Sequence, residues 1–298
     1  MFQDIEPHVF HNEYCIRQPE ADDLLISVRK RDILVSRKGL EALKDDDAAK
    51  ASCSTGAAIQ LLPTVGQVRA QSPSAVQDAY YLLSIDRTQY FAAPEPLPET
   101  PELCYTSVMT LREMKLGSLG FGGAVAWQLA DWYRLHRYCG CCAARTVHSE
   151  KERAVVCPVC GRVYYPRINP VVIIAIVDGD RILLTRYNRS GSRRHALVAG
   201  FVEIGETLED AVRREIMEEV GLHVKNIRYC ESQPWPFSSS LISGFFADVD
   251  GDPTIHLNTD GQEELAEGIW VTRDELVLEE VGMSLTWDMI RKFKENTF

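Results

Sequence analysis

The 298-residue chain has 25% charged and 45% hydrophobic residues and a formal net charge of −11, a composition typical of a soluble globular protein. The acidic balance argues against nonspecific binding to long nucleic acids, which needs clustered Lys and Arg, and no apolar run approaches the roughly 20 residues of a membrane helix. The polar start MFQDIEPHVFHNEY lacks the apolar core of a signal peptide, so we expect a cytoplasmic enzyme with no membrane partner.

Residues 1–134 are predicted to form a separate, mixed α/β domain, because the length of the chain favours two domains or more. Strand-like segments flank charged turns and predict two hairpins, Leu24–Val28 with Ile33–Ser36 and Tyr80–Ile85 with Gln89–Ala92. The stretches between the hairpins favour loops or weak helices. After a proline-rich connection, helices are predicted at Ser107–Lys115 and Ala124–Arg137.

Two CxxC pairs mark residues 135–168 as a small metal-binding domain. Cys139, Cys142, Cys157 and Cys160 offer four thiolates at a spacing suited to tetrahedral Zn²⁺. Four protein ligands leave no open coordination position, so the zinc is predicted to be structural. A metal site in a reducing compartment fits this cysteine pattern better than a disulfide framework.

Three alternatives remain for this segment. Cys141 could compete with Cys142 as a ligand, and Ala143 stands where such knuckles often have Gly. A redox-active CxxC is a second possibility. Nucleic-acid binding is the third, because basic residues are locally in surplus: Arg134, Arg137, Arg145, Lys151, Arg153, Arg162 and Arg167.

Residues 169–298 are predicted to form a further domain with a mixed sheet and helices on both faces. Val171–Val177 is a nearly continuous β-branched run, and a turn at Asp178–Asp180 leads into a returning strand. The basic stretch Arg189–Arg194 is expected to be a loop. The remaining predictions are strands at Arg181–Tyr187, Ser243–Val249 and Glu267–Val271 and a final helix at Met283–Lys294.

The stretch GFVEIGETLEDAVRREIMEEVGL, residues 200–222, predicts a core-docked helix that carries an acidic face. Glu215, Glu218 and Glu219 stand at i, i+3 and i+4 and therefore lie on one side of the helix. Oxygen ligands select hard cations such as Mg²⁺ or Mn²⁺. A solvated acidic helix without a metal is the simpler alternative.

Neighbouring residues are expected to support this helix. Thr207 is placed to cap it, and Asp210 to pair with Arg214. Glu206 and Arg214 are expected to brace the preceding loop. Downstream, prolines bracket Trp235 in SQPWPF, so an aromatic ring is held ready to stack on a flat ligand.

The spacing of Gly200, Glu206, Arg214, Glu215, Ile216, Glu218, Glu219, Gly221 and Leu222 resembles the Nudix box at every defined position. With the paired cysteines, YYPR and SQPWPF, the chain resembles the NAD(H) pyrophosphatase branch of that family. The resemblance implies an α+β protein: a mixed N-terminal domain, a four-cysteine zinc ribbon and a C-terminal Nudix α/β/α sandwich. It departs from the family at Ser238, where Pro is usual.

The resemblance also implies the roles of individual residues. Glu215, Glu218, Glu219 and Glu267 would be catalytic and hold Mg²⁺ or Mn²⁺, together with the carbonyl of Ala199. Phe201 and a Tyr165 contributed by a partner subunit would sandwich the adenine, which implies a homodimer. The other implied substrate contacts are Gln233, Trp235, Ser240 and Arg112.

The implied activity is metal-dependent hydrolysis of the pyrophosphate bond of NAD(H) to AMP and nicotinamide mononucleotide. Removal of 5′-NAD caps from RNA is an alternative, and so is hydrolysis of another ADP-linked dinucleotide or sugar. A third possibility, from another class, is a noncatalytic zinc-ribbon protein that senses nucleotides; the presence of every glutamate of the box argues against it.

Overall fold

The computed structural model describes residues 1–44, 60–113, 116–188, 195–261, 265–278 and 283–298. The predicted loop at Arg189–Arg194 therefore lies outside the described residues. The chain divides into two compact units, an N-terminal unit of Gln3–Arg167 and a C-terminal unit of Ile168–Phe298 with Met1–Phe2. The predicted boundary between residues 1–134 and 135–168 stays a prediction. Among the described residues, no helix combines the length and the hydrophobicity that a bilayer span requires.

The N-terminal unit contains small sheets and helices. Its strands are β1 (Phe10–His11), β2 (Leu24–Ile26), β3 (Val28–Arg29), β4 (Asp32–Ser36), β5 (Tyr80–Ile85), β6 (Thr88–Ala92), β7 (Leu103–Ser107), β8 (Val147–His148), β9 (Val155–Val156) and β10 (Val163–Tyr164). Its described helices are α1 (Arg37–Lys44), α2 (Val65–Gln71), α3 (Thr110–Glu113) and α4 (Gly117–Leu135), with a 3₁₀ turn at Pro73–Val76.

These strands form three sheets, in the orders β1-β5-β6-β2, β3-β4-β7 and β10-β9-β8. The antiparallel pairing of β5 with β6 confirms the second predicted hairpin. The first hairpin was wrong in extent, because only β3 pairs with β4, whereas β2 runs parallel to β6. A parallel partner distant in sequence leaves no local turn signal, so sequence patterning assigned β2 to its nearest neighbour.

The C-terminal unit has a six-stranded mixed sheet. Its strands are β11 (Asn169–Asp178), β12 (Arg181–Tyr187), β13 (Val198–Phe201), β14 (Val224–Trp235), β15 (Ser240–Val249) and β16 (Leu265–Thr272), and its helices are α5 (Leu208–Val220) and α6 (Leu285–Glu295), with a 3₁₀ turn at Pro236–Ser238. The order is β14-β15-β11-β12-β16, and β13 pairs with β11 beside that path. β11 and β15 are parallel, and the neighbouring pairs are antiparallel.

Alternate residues of β11 enter two separate cores, one on each face of the sheet. Val172, Ile174 and Ile176 pack with Val212, Ile216 and Val220 of α5. Ile173, Ala175 and Val177 pack on the other face with Met289, Ile290 and Phe293 of α6. Side chains of a strand point alternately to the two faces, so a strand covered on both sides has a continuous apolar sequence. The α/β/α sandwich is therefore confirmed.

Candidate active site and zinc centre

Helix α5 begins with a side-chain cap and ends in a left-handed glycine. The Asp210 N–H donates to Thr207 Oγ1 at 3.1 Å, which confirms Thr207 as the cap. Gly221 ends the helix with φ of +67°, a backbone conformation that glycine adopts without strain. Glu215 and Glu219 are 9% and 6% exposed, so this acidic face is partly buried.

Gly200 on β13 provides the space in which the Glu215 carboxylate lies. A Cβ atom at position 200 would lie 1.9 Å from Glu215 Cδ and 2.0 Å from its Oε1. Real atoms cannot approach so closely, so only glycine at position 200 lets the carboxylate rest against the strand. Because β13 pairs with β11, this contact fixes Glu215 relative to the sheet.

Arg214 lies among the carboxylates and connects the loop to the helix. Its guanidinium donates to both oxygens of Glu206, at 2.6 and 2.9 Å, to Glu215 Oε1 at 2.7 Å and to Glu218 Oε2 at 3.0 Å. The paired guanidinium lowers the pKa of Glu206 to about 2. The expectation that Glu206 and Arg214 brace the loop is consistent with this bidentate pair.

The expected pair of Asp210 with Arg214 was wrong. Asp210 instead lies 3.3 Å from the neighbouring Arg213 in an exposed ion pair. A bidentate carboxylate from the preceding loop holds Arg214, and bidentate pairs are stronger than exposed i, i+4 pairs.

A cavity of about 1140 Å³ opens in front of the acidic helix. Its lining combines carboxylates, aromatic rings and small polar groups. Among the described residues it is lined by Val171, Tyr187, Asn188, His195, Ala196, Ala199, Gly200, Phe201, Glu203, Arg214, Glu215, Glu218, Glu219, Trp235, Ser238, Ser240, Ile242, Asn258 and Asp260. The structure thus places Ala199, Phe201, Trp235 and Ser240 in the lining of the same cavity as the three helix glutamates.

Glu267 is not among these lining residues, but its carboxylate lies near His195, which is one of them. Arg186 Nε donates to Glu267 Oε2 at 3.0 Å, and His195 Nε2 lies 3.9 Å from the same oxygen. Arg186 and Glu267 are direct cross-strand partners of β12 and β16. The contacts of Arg186 and His195 with Glu267 were not expected from the sequence, because they join residues that are far apart in the chain.

Gln233 is fully buried and is not part of the described cavity lining. Its amide donates to the Met283 carbonyl at 3.0 Å, and its Oε1 accepts from the Leu285 N–H at 2.8 Å. The side chain therefore holds the start of α6, and its role as a substrate contact stays a prediction. Trp235 and the preceding Pro234 lie at the end of edge strand β14, where proline is tolerated.

Tyr165 and Arg112 belong to the N-terminal unit. Tyr165 is 58% exposed, and its hydroxyl donates to Glu152 Oε1 at 3.1 Å, which raises the pKa of the phenol. Arg112 lies half-buried in the single turn α3. Their roles in substrate binding remain predictions.

The four predicted cysteines converge in the ribbon. Sγ atoms of Cys139, Cys142, Cys157 and Cys160 all lie within 4.8 Å of one another, and the group contains Cys142 where the spacing had left Cys141 as a competitor. Among the described residues, no other group of three or more His, Cys, Asp or Glu side chains brings its ligand atoms together in this way. Thiolates at this spacing fit a tetrahedral zinc ion with no open position.

Tyr164 makes a hydrogen bond to the cysteine cluster. Its hydroxyl lies 3.2 Å from Cys139 Sγ and accepts from the Gly140 N–H at 3.0 Å. This hydroxyl is the main cause of the lowered Cys139 pKa, which is about 6. Hydrogen bonds to ligand sulfurs orient the ligands of a metal site, so Tyr164 supports the zinc knuckle.

Comparison with protein families assigns both regions. Residues 167–293 match the NUDIX domain, and residues 134–165 match the NADH pyrophosphatase zinc ribbon domain. The chain carries a Nudix domain and this zinc ribbon. The Nudix match includes the acidic helix and the cavity wall, and the ribbon match includes all four converging cysteines. These matches support a structural zinc ion in the ribbon.

Curated relatives of this chain are named NAD-capped RNA hydrolase NudC. The protein from Shigella dysenteriae serotype 1 is 49% identical over 152 residues, which cover 51% of this chain and 57% of that relative. The protein from Escherichia coli O9:H4 is 48% identical over the same length and coverage. The chain thus matches only a little over half the length of these curated relatives.

Among solved structures, a NUDIX hydrolase aligns with part of the chain. The NUDIX hydrolase from Nitrosomonas europaea aligns with a TM-score of 0.45 and 22% identity, and the alignment covers 53% of this chain and 91% of that one.

Proposed function

We propose that this protein hydrolyses the pyrophosphate bond of an NAD-type dinucleotide and releases AMP and nicotinamide mononucleotide. The observation that carries this proposal is that Glu215, Glu218 and Glu219 line the same cavity as Trp235 and Phe201. Carboxylates suit a divalent cation beside a diphosphate, and exposed rings suit a base. The names of the curated relatives support the same substrate class.

The donor set fits Mg²⁺ or Mn²⁺ better than a softer metal. Glu215, Glu218 and Glu219 offer only carboxylate oxygens, and the Ala199 carbonyl would add another oxygen ligand, with Glu267 as a further carboxylate. The close contact of Glu215 with Gly200 places its carboxylate beside that strand. When bound, the cation would neutralise phosphate charge and lower the pKa of water.

The chain's own residues prepare the site for attack on the phosphoanhydride. Arg214 donates hydrogen bonds to Glu215 and Glu218 and holds their carboxylates in fixed positions. Trp235 and Phe201 offer faces for the adenine, and stacking on such rings contributes about 1–3 kcal/mol per base. Fixed carboxylates and a held base align the diphosphate, which is the main demand of phosphoryl chemistry.

Removal of NAD caps from RNA is the second candidate, favoured by the names of the relatives. The ribbon's basic residues support it only in part. Arg137 pairs with Glu95 and Arg134 with Asp131, while Arg153 donates to the carbonyls of Leu82 and Asn12. Exposed cations remain on the same segment at Arg145, Lys151, Arg162 and Arg167.

One assay tests the proposal and separates the two candidates. Purified protein with Mg²⁺ or Mn²⁺ is given NADH, NAD⁺, NADPH and ADP-ribose, and the released mononucleotides are identified by chromatography. NAD-capped RNA is compared with free NADH at equal concentration, and an RNA of the same sequence with a 5′-triphosphate is the control. Absence of AMP from every dinucleotide would contradict the proposal.

The homodimer is part of the same proposal. The adenine site would be completed by Tyr165 of the partner subunit, which is accessible because it is 58% exposed. Mixed dimers test this: Tyr165→Ala and Glu219→Gln should each lose most of their activity alone and recover activity when mixed, because one of the two sites then has both residues. No recovery in mixtures shown to exchange subunits would contradict it.

The reduced cysteine cluster suits a reducing compartment, so we place the protein in the cytoplasm.

A further inference from the structure

The connection from Ile255 to Gly261 hydrogen-bonds to the C-terminal end of the acidic helix α5. Gly221 caps the helix in the ordinary way, with its N–H donating to the Met217 carbonyl at 3.1 Å. The last carbonyls of a helix lack partners within it. Here the connection supplies them: the N–H groups of Thr259, Asn258 and His256 donate to the carbonyls of Glu218, Glu219 and Val220 at 2.7, 2.9 and 3.0 Å.

The Thr259 side chain adds a second layer of contact to the same turn. Its hydroxyl donates to the carbonyls of Met217 and Glu218, the latter at 3.2 Å. Its methyl group lies against Gly221, since a Cβ there would be 3.1 Å from Thr259 Cγ2. Two of the carbonyls held by the connection thus belong to Glu218 and Glu219, whose side chains line the cavity.

Asn258 joins this connection to the strand that carries Glu267. Its Nδ2 donates to the Leu265 carbonyl at 2.9 Å, and its Oδ1 accepts from the Leu265 N–H at 3.0 Å. The same side chain borders the cavity. Leu257 and Ile255 pack against Gly268, where a Cβ would lie 3.1 Å from Leu257 Cδ2. The connection therefore contacts residues on both sides of Glu267.

Helix α5 and strand β16 are thus held at one separation by two adjacent side chains. We propose that Asn258 and Thr259 are positioning residues that set the distance between the helix glutamates and Glu267, and thereby the affinity of the site for a divalent cation. This inference rests on the proposed function. A cation that needs ligands from both elements binds weakly when their spacing drifts, and loss of such supporting contacts typically costs about 10–100-fold in metal affinity.

Manganese binding in the absence of substrate tests the inference, by calorimetry on the full chain. Thr259→Val keeps the shape of the side chain and removes its hydroxyl, whereas Thr259→Ser keeps the hydroxyl. Asn258→Gly removes both side-chain bonds and relieves the φ of +55° at this position. Thr254→Val is the matched control. Thr254 directly precedes the connection from Ile255 to Gly261, and its hydroxyl donates to Asp252 Oδ1 and not to helix α5.

We expect Thr259→Val and Asn258→Gly to weaken Mn²⁺ binding by about 10-fold. Thr259→Ser and Thr254→Val should bind as the wild type does. A purely structural role would lower the melting temperature measured in chelator and leave the affinity unchanged. Unchanged affinity in both folded test variants overturns the inference while the proposed function stands. If the wild type binds no Mn²⁺, the proposed function fails, and the inference fails with it.

Discussion

The carboxylate of Glu215 lies directly against the backbone of Gly200, in the space that a side chain at position 200 would fill. The contact joins helix α5 to strand β13, whose neighbouring residues Ala199 and Phe201 line the cavity. A glycine is therefore required for packing at this point and not for a turn. Any larger residue must move the acid, the strand or both.

Gly200→Ala should therefore lower turnover of the proposed reaction by about 100-fold, since displacing a catalytic group by an ångström has that order of effect. The rate is measured on NADH with saturating Mn²⁺. Gly179→Asn is the control, because a side chain there meets nothing within 4 Å and Asn tolerates the φ of +60° at this turn of the same unit. A normal rate in Gly200→Ala would show that Glu215 need not stay in its present position.

Glu219→Gln should lower turnover by about two orders of magnitude or more while the fold stays intact, because it removes a charge at constant shape from a carboxylate that we propose binds the metal. Glu219 is only 6% exposed and faces the cavity from α5. Glu209→Gln, an exposed change in the first turn of the same helix, should leave turnover unchanged. Steady-state rates and circular dichroism measure both properties; near-normal turnover in Glu219→Gln removes this residue from the catalytic set.

Glu206 should make the stability of the C-terminal unit depend on pH in the acid range. Arg214 lowers its pKa from 4.5 to about 2. A carboxyl with a lowered pKa in the folded state stabilises that state above pH 4.5, and this contribution is lost as the pH falls towards 2. We therefore expect Glu206→Gln to be less stable than the wild type at neutral pH, with the difference shrinking across this window.

Urea unfolding of both proteins at several pH values checks the prediction. In an Arg214→Met background, the Glu206→Gln change should have little further effect, because the partner that lowers the pKa is gone. A difference between wild type and Glu206→Gln that is the same at pH 2 and pH 7 contradicts the predicted linkage.

The parts of the fold that the sequence predicted are those with local, repeated signals. The apolar run Val171–Val177 and the i+4 spacing in α5 each depend only on near neighbours, and both elements are present. The cysteines of the ribbon were also predictable, because metal ligation requires particular residue types at particular spacings. Burial on both faces explains why β11 shows no polar alternation.

The parts that sequence reasoning missed depend on residues far apart in the chain. Gln233 bonds to Met283 and Leu285, about fifty positions away, so its motif gave no sign that the amide holds the start of a helix. Arg186 meets Glu267 only through strand register. The expected pair of Asp210 with Arg214 was wrong because a helical spacing rule does not weigh the stronger bidentate pair that Arg214 makes with Glu206 of the loop.

The two zinc knuckles have equivalent turns with different residues. Ala143 and Gly161 each follow the second cysteine of a pair, with φ of +59° and +73°, and their N–H groups donate to the carbonyls of Cys139 and Cys157. A left-handed backbone costs a non-glycine residue about 1 kcal/mol or more. Gly161→Ala should therefore destabilise the ribbon by about 1 kcal/mol, and Ala143→Gly should stabilise it slightly, because glycine's greater chain entropy offsets part of the gain.

Thermal melting of the zinc-loaded protein measures both changes, and zinc release to a chromogenic chelator on heating reports the ribbon itself. Gly161 is a clean site for this test, since a Cβ there has no neighbour within 4 Å and only the backbone conformation is strained. The two variants should shift zinc release in opposite directions. A shift in the same direction would mean that the knuckle turns do not limit the stability of the ribbon, and that the bond from Tyr164 to Cys139 is the next contact to remove, by Tyr164→Phe.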